Sequence, residues 1–459
     1  MTEGVLNPEV QALIEAKNFA ALKAVVRDME VHDLALLLSE LETDSFGVVF
    51  RLLPQARASE VFAYLERDRQ EELISMLSSE RVAAILQEMP PDDRTELLEE
   101  LPGEVAQRLL SSLRGEELRI ARRLLAYPED SIGRLMTPEY VAVRPDWTIG
   151  RALEHIRKVA PAKETIYVVY VVDEHWKLLD DLALEQIVLA GPDEPVTELM
   201  DESVAYLNAS EDQETAIDQF RKYDAVALPV VNNQGILVGI VTFDDVMDVA
   251  EEEQSEDFHK MVAMDPLQQS YFGTGFLAMV RKRLPWLMLL LLAQTMTTLA
   301  LTGFHALPLF AVLVIFVPLV NSPAGNAGSQ SAGLMLRGLA LRELDVSDWR
   351  QILSRELLRG LALGGTLAVI GFGAAYLFAP LAGAANHSQL PRIAGAVAIA
   401  IAAAVTLANL VGSMLPFLFK RLGFDPAVTS GPFIASIMAV TGIVLYFSIA
   451  TAMLAASMS

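Results

Sequence analysis

The sequence contains no cysteine. That excludes disulfides and thiolate metal sites, and it fits a chain facing a reducing cytoplasm. Basic residues are scarce: 35 Lys and Arg stand against 59 Asp and Glu, a net charge of -24. Of these, 8 basic and 5 acidic residues fall from Leu284 onward, leaving 27 and 54 in the first 283. So acidic a region argues against nucleic acid as a partner and against docking on anionic lipid; it suits a cation-binding surface or a merely solvated one. Met1 to Val10 lacks the basic start and apolar core of a signal peptide, so targeting is expected to come from a later apolar segment. Six histidines (His32, His155, His175, His259, His305 and His387) are scattered without a zinc-like spacing, and His259, beside Asp257, reads as a surface group. With no P-loop and no serine elbow either, the sequence gives an enzyme no support.

What the chain has in quantity is uncharged apolar sequence. Leu284 to Leu336, Ile393 to Phe419 and Pro426 to Ser459 contain no Asp, Glu, Lys or Arg. A span needs roughly 20 such residues, and a backbone in lipid must be helical. Cutting at Gly303-Phe304-His305, at the polar run Arg337 to Arg359, at Ala379 to Arg392 and at Lys420 to Asp425 leaves about five helices. No Asp or Glu is expected inside any of them. Arg281, Lys282 and Arg283 precede the first span, five arginines fill the second gap, and Lys420 and Arg421 sit in the fourth. The positive-inside rule then expects a multi-pass membrane protein with a cytoplasmic N-terminal region, and the odd span count puts the C-terminus outside.

Ahead of the membrane block lie two textures. Val5 to Tyr127 reads as short helices, with apolar residues three and four apart (Val61, Leu65; Leu73, Met76, Leu77) and breaks at Pro54, Pro90-Pro91 and Pro102. Units so brief are expected to stack as a superhelix. From Leu135 onward strands appear: Tyr167 to Val172 is a buried run ended by Asp173-Glu174-His175, and Leu228-Pro229-Val230-Val231 is followed by Ile236 to Val241. The texture occurs twice, with Leu135-Met136 matching Leu199-Met200 and Val171-Val172-Asp173 matching Val230-Val231-Asn232. These halves resemble a tandem pair of CBS (cystathionine-β-synthase) domains, which implies an α/β fold and a nucleotide such as ATP as a candidate ligand. Asp180-Asp181 stands in the first copy where the second has Gly239-Ile240, which argues against a nucleotide site built on that strand.

Between the pair and the membrane runs an acidic hinge with Glu251, Glu252, Glu253, Glu256, Asp257 and Asp265, expected to continue as one amphipathic helix to Arg283. Carboxylates so crowded repel one another unless a hard cation lies between them, and Mg2+ and Ca2+ prefer oxygen ligands; a solvated charged helix is the plainer alternative. Within the apolar block, Gly325, Gly328 and Gly333 alternate with Asn326, Ser329 and Ser331, and Ala408-Asn409-Leu410-Val411-Gly412-Ser413 and Gly423-Phe424-Asp425-Pro426 follow. Small residues let helices approach closely, and amide or hydroxyl oxygens can face a hydrated ion. In these motifs and in its order of parts the chain resembles the MgtE-type magnesium channels. The resemblance implies a helical N domain (1–132), tandem CBS domains (133–252), a hinge and connecting helix (253–283) and a five-helix pore domain (284–459). It further implies a homodimer in the bilayer of the plasma (inner) membrane whose pore is held shut by cytoplasmic Mg2+. The matching metal positions are Asp92, Glu96, Glu214, Asp224, Asp245, Asp248, Glu253, Glu256, Asp257 and Asp425. Those matching the pore lining are Gly325, Asn326, Gly431, Ala435 and Ala439.

Two departures stand out. Ala439 occupies the place of the family's pore aspartate, and Ala324-Gly325-Asn326 replaces its Gly-Gly-Asn turn. Carbonyls near Gly431 and Ala435, with Asn326, are left to hold a fully hydrated ion. The leading expectation is a channel or transporter for Mg2+, both cargo and regulator. A less selective Mn2+, Co2+ or Ni2+ pathway and a non-conducting Mg2+ sensor are the alternatives.

Overall fold

Proline sets the first punctuation. Pro54, Pro90 and Pro102 each sit immediately before a helix, and Pro91 opens α1 (Pro91–Glu100), where its missing N–H breaks no helical bond. In the computed structural model, which describes residues 8–455 except 17, 202, 268–270, 272, 273, 308 and 382–388, helices of 8 to 10 residues follow one another from Pro8–Glu15 to Gly115–Leu124. Such helices are too short to be stable alone. They pack alternately, Val31–Glu40 on Gln55–Ala63, that helix on Ser79–Glu88, and that one on Gly103–Ser112. Arginines fasten the stack: Arg69 Nη2 donates to the Ser39 carbonyl at 2.7 Å, and Arg81 Nη2 donates to the Leu53 carbonyl at 3.0 Å. Leu34, Phe46, Phe50, Phe62, Leu73 and Leu86 form its continuous core. This is the expected superhelical stack.

The second texture folds into two three-stranded sheets. In the first, β1 (Ala142–Val143) lies parallel to β2 (Val168–Val172), which pairs antiparallel with β3 (Leu178–Ala183), and α2 (Ile149–Val159) joins β1 towards β2. The second repeats this with β4 (Leu207–Asn208), α3 (Glu214–Tyr223), β5 (Ala227–Val231) and β6 (Leu237–Thr242). Even the register repeats: Val171 faces Asp180 as Val230 faces Gly239, and both ladders shift at the following residue. The acidic pair does not spoil β3. Asp180 is buried, with Oδ1 accepting from the Asp181 N–H at 2.9 Å and Oδ2 from the Asp201 N–H at 2.8 Å. In the second copy the corresponding approach is made by backbone alone, Thr137 and Ile240 exchanging both bonds, and a Cβ on Gly239 would come within 2.9 Å of the Thr137 carbonyl. A carboxylate thus does for one copy what a missing side chain does for the other.

The chain divides into two compact units, Met1–Glu253 and Gln254–Ser459. α4 (Phe243–Met261) leaves β6 and ends before Ala263, whose φ of 57° no helix continues. A new helix, α5, spans Phe276–Phe304. The connecting helix expected to reach Arg283 therefore stops at Met261, and Arg281, Lys282 and Arg283 ride on the first turns of α5.

Five helical stretches among the described residues are long and apolar enough to cross a membrane: Phe276–Phe304, Phe310–Ala340, Val346–Phe378, Leu390–Arg421 and Gly431–Leu454. Their main helices beyond α5 are α6 (Val317–Ala340), α7 (Trp349–Phe378), α8 (Leu390–Arg421) and α9 (Gly431–Ala455). The expected breaks recur, although residues 382–388 of the third lie outside the described residues. The polar run 337–359 is a break only over residues 341–348; its ends belong to α6 and α7. Glu356, expected in that gap, is thus a helical residue of α7, 2% exposed. Charge marks where apolar sequence ends, not where the helix does.

Glycine sets the close packing. α8 fits between α6 and α7 because Gly412 meets the Gly328 carbonyl, where a Cβ would lie 2.1 Å away, and Gly364 meets the Ala402 carbonyl at 2.6 Å. α9 runs antiparallel to α6, with Gly325 opposite Ala435, where a Cβ on the glycine would lie 3.5 Å from the alanine Cβ.

Candidate cation sites and ion pathway

In the first unit, two helix starts bring acids together. Asp92 and Asp93 lie in the first turn of α1, and Asp244 and Asp245 in the first turn of α4, where helix dipoles favour negative charge. Asp245 Oδ2 accepts from the Thr242 N–H at 3.2 Å and from its hydroxyl at 2.5 Å. Asp92 is buried, and its Oδ1 has no hydrogen-bond partner among the described residues. Burial and then the nearby charges of Asp245, Asp93 and Glu164 hold its pKa well above the carboxylate range. Asp93 is pushed up to about 6 by burial and by Asp245, Asp244 and Asp248. Asp245 rises to about 7 through burial and the repulsion of Asp244 and Glu164, against the lowering effect of its Thr242 bonds. Asp248 and Glu164 are raised as well, by desolvation first and the charge of Asp244 second. Arg94 is buried beneath, donating from Nη1 to the Leu86 carbonyl at 3.1 Å. Oxygen-only donors, mutual repulsion and an orphaned carboxylate oxygen are what a hard cation satisfies. Among the described residues no three acidic or imidazole side chains converge as a metal-chelating group.

In the second unit, Lys260 stands between two expected metal ligands. Its Nζ pairs with Asp425 Oδ2 at 2.7 Å and with Glu256, four residues earlier on α4. Burial would lower the pKa of Lys260, but its hydrogen bonds to Asp425 and Glu256 hold it above the usual lysine range. Asp425 also caps the turn that follows it, Oδ1 accepting from the Ala427 N–H at 2.8 Å. A resident ammonium therefore joins these two carboxylates. His259, expected at the surface, is half-buried, with Nδ1 enclosed and without a hydrogen-bond partner among the described residues.

The expected pore residues lie where α6 meets α9. The helix runs straight through Ala324-Gly325-Asn326, so these residues form no turn. Ser329 Oγ donates to the Gly431 carbonyl at 3.0 Å, and Asn321 Nδ2 to the Ala439 carbonyl at 3.0 Å. Residues 321, 325 and 329 thus zip against 439, 435 and 431, which leaves Gly325 buried and Gly431, Ala435 and Ala439 half-buried in the contact. Asn326 instead lies on an exposed face of α6, with Ser322 and Gln330 one turn to either side. A polar stripe on an apolar helix is costly against lipid and belongs against water or protein.

Comparison with known proteins agrees with this architecture. Residues 317–449 match the MgtE divalent cation transporter family, residues 29–130 the MgtE intracellular N domain, and residues 132–189 and 196–252 the CBS domain. The magnesium transporter MgtE of Thermus thermophilus is 39% identical over 72% of this chain and 72% of its own length. The chain belongs to the MgtE family. The MgtE of Enterococcus faecalis is 32% identical over 73% of this chain and 72% of its own length. A crystal structure of the cytosolic domain of the Mg2+ channel MgtE in complex with ATP shares 38% identity and a TM-score of 0.50, covering 52% of this chain and 98% of its own. A crystal structure of the soluble part of a magnesium transporter shares 25% identity at the same TM-score, covering 54% and 97%.

Within this MgtE chain the expected metal residues fall into separate places. Asp92, Asp245 and Asp248 gather, joined by Asp93, Asp244 and Glu164, which sequence reasoning passed over. Asp93 and Asp244 had a signal, as acids beside expected ligands; Glu164, in the loop before β2, had none. Glu96 lies one turn along α1 on its exposed side. Glu214 and Asp224 stand exposed at the two ends of α3, about 15 Å apart by helical rise. Glu253 and Asp257 sit half-buried along α4, and Glu256 and Asp425 share Lys260. Lys260 was legible as the partner of Glu256 at i+4, but not of Asp425.

Proposed function

We propose that this chain carries Mg2+ across the membrane down its electrochemical gradient, as a homodimer with the acidic unit in the cytoplasm, the C-terminus outside and the pore between the two membrane units. The observation that carries the proposal is the 39% identity to a magnesium transporter over 72% of the chain. A membrane potential favours entry by about 2.3 kcal/mol per charge per 100 mV, about twice that for a divalent ion, so no hydrolysis is needed. The exposed stripe of Ser322, Asn326 and Gln330 supplies oxygens for a hydrated ion on the face turned to the partner. Cytoplasmic Mg2+ closes the channel by screening the carboxylates around Asp92 and Asp245; without it they repel and the parts separate. The expected metal ligands outside that cluster, Glu96, Glu214, Asp224, Glu253, Glu256, Asp257 and Asp425, belong to the same proposal as further points of Mg2+ contact. ATP is a candidate ligand of the CBS pair, since a similar cytosolic domain was crystallised with it and β3 keeps its strand.

The second reading is a less selective divalent-cation pathway. It is favoured by Ala439, whose carbonyl is already engaged by Asn321 and which brings no charge to the pore. Uptake into proteoliposomes separates the two. Saturable Mg2+ uptake that exceeds Mn2+ and Co2+ uptake and falls as Mg2+ is raised on the acidic side supports the proposal. Equal uptake of all three ions points to the second reading, and silence to a sensor without a pore.

A further inference from the structure

The buried Glu356 has no part in the cation sites above, yet a carboxylate inside a membrane helix is costly and is held there only with partners. Those partners form a chain across three helices. Asn409 Nδ2, in the middle of α8, donates to Glu356 Oε2 at 2.6 Å and to the Glu356 backbone carbonyl at 2.9 Å. Asn409 Oδ1 in turn accepts from the hydroxyl of Ser331 on α6. Arg359, one turn along α7 and largely exposed, pairs with Glu356 Oε1 and balances its charge. Glycine permits the approach: a Cβ on Gly360 would lie 3.3 Å from the Asn409 Cβ, and α8 meets α6 through Gly412 and Gly328. Ser331 is one residue beyond Gln330 and five beyond Asn326, so whatever fixes Ser331 fixes the rotation of α6 that presents the polar stripe.

We infer that Glu356 is a positioning residue for ion conduction, setting through Asn409 and Ser331 the rotation of the helix whose exposed face meets the ion. It touches no ion itself: both its oxygens are engaged. The inference rests on the transport reading. A merely structural role would change how much protein survives in the membrane; a positioning role changes which ion passes.

The test is uptake of Mg2+ and Mn2+ by the full-length protein in proteoliposomes, at matched protein content. Glu356→Ala should lower Mg2+ uptake and shift the Mg2+ to Mn2+ ratio by about tenfold, since the Asn409 amide loses its side-chain acceptor and with it the restraint that holds it against Ser331. Glu356→Gln keeps an acceptor for Asn409 and should retain the wild-type ratio. The double variant Glu356→Gln, Asn409→Asp moves the carboxylate to α8: the Gln amide then donates to that carboxylate, Ser331 still donates to it, and only the bond to the residue 356 backbone carbonyl is lost, so the ratio should be retained too. Ser331→Ala removes one hydroxyl, is compatible with folding, and should shift the ratio about threefold in the same direction as Glu356→Ala. An unchanged ratio in Ser331→Ala, or in Glu356→Ala that reaches matched content, overturns the inference. Wild-type protein that passes neither ion overturns the transport reading instead.

Discussion

Replacing Asp245 with Asn tests whether the acidic cluster stores repulsion. The carboxyl is raised from an ordinary 3.8 to about 7. At 1.36 kcal/mol per unit, keeping it ionised at pH 8 costs about 4 kcal/mol, and about 2 kcal/mol once partial solvent access and its shared titration with Asp92 are allowed for. Asn keeps an oxygen for the Thr242 bonds and removes the charge. A raised acid binds more protons folded than unfolded between about pH 4 and 7, so wild-type stability falls as pH rises through that window. The variant lacks this loss. Amide hydrogen exchange of the full-length protein, followed at α1 and at the start of α4, should therefore be about 30-fold slower in the variant at pH 8 without Mg2+. The two proteins should converge only below about pH 4, where the unfolded carboxyl is protonated too, and added Mg2+ should protect wild type more than the variant. Exchange in Asp245→Asn as fast as in wild type at pH 8 would show that the carboxylates are not in conflict.

Ala439→Asp adds a carboxylate beside the Asn321 contact and should raise the Mg2+ to Mn2+ uptake ratio in proteoliposomes; an unchanged ratio would place the pore away from this part of α9. Lys260→Met leaves Glu256 and Asp425 facing each other without their shared cation. Uptake should then respond to lower Mg2+ on the acidic side, and a Mg2+ response identical to wild type would show that the ion pair plays no part in gating. Gly412→Val forces side-chain atoms into the Gly328 carbonyl and should destabilise the membrane unit by about 3 kcal/mol or more, read as lost thermal stability in detergent.

The five spans, the strand pattern repeated to the residue and the run of proline-punctuated helices are all written in the sequence, because each is a local property: length of uncharged chain, a short continuous apolar run, a missing N–H. The sequence also carried the motifs by which the family is recognised. Helix ends are less legible, since composition cannot tell where a charged turn continues a helix: the polar run Arg337 to Arg359 implies a gap between spans where the structure puts Glu356 on α7, and the hinge implies one helix to Arg283 where α4 stops at Met261. Which residues remote in sequence meet depends on how the elements pack. Asp92 confronts Asp245 only because two helix starts from different domains converge, and Lys260 reaches Asp425 only because a helix and a distant loop share a corner. Asn409, which sequence placed among small packing residues, became the link between Glu356 and Ser331 for the same reason. Acidic side chains announce themselves in a sequence; whether each meets a lysine, an asparagine or another acid is fixed by how the chain closes on itself.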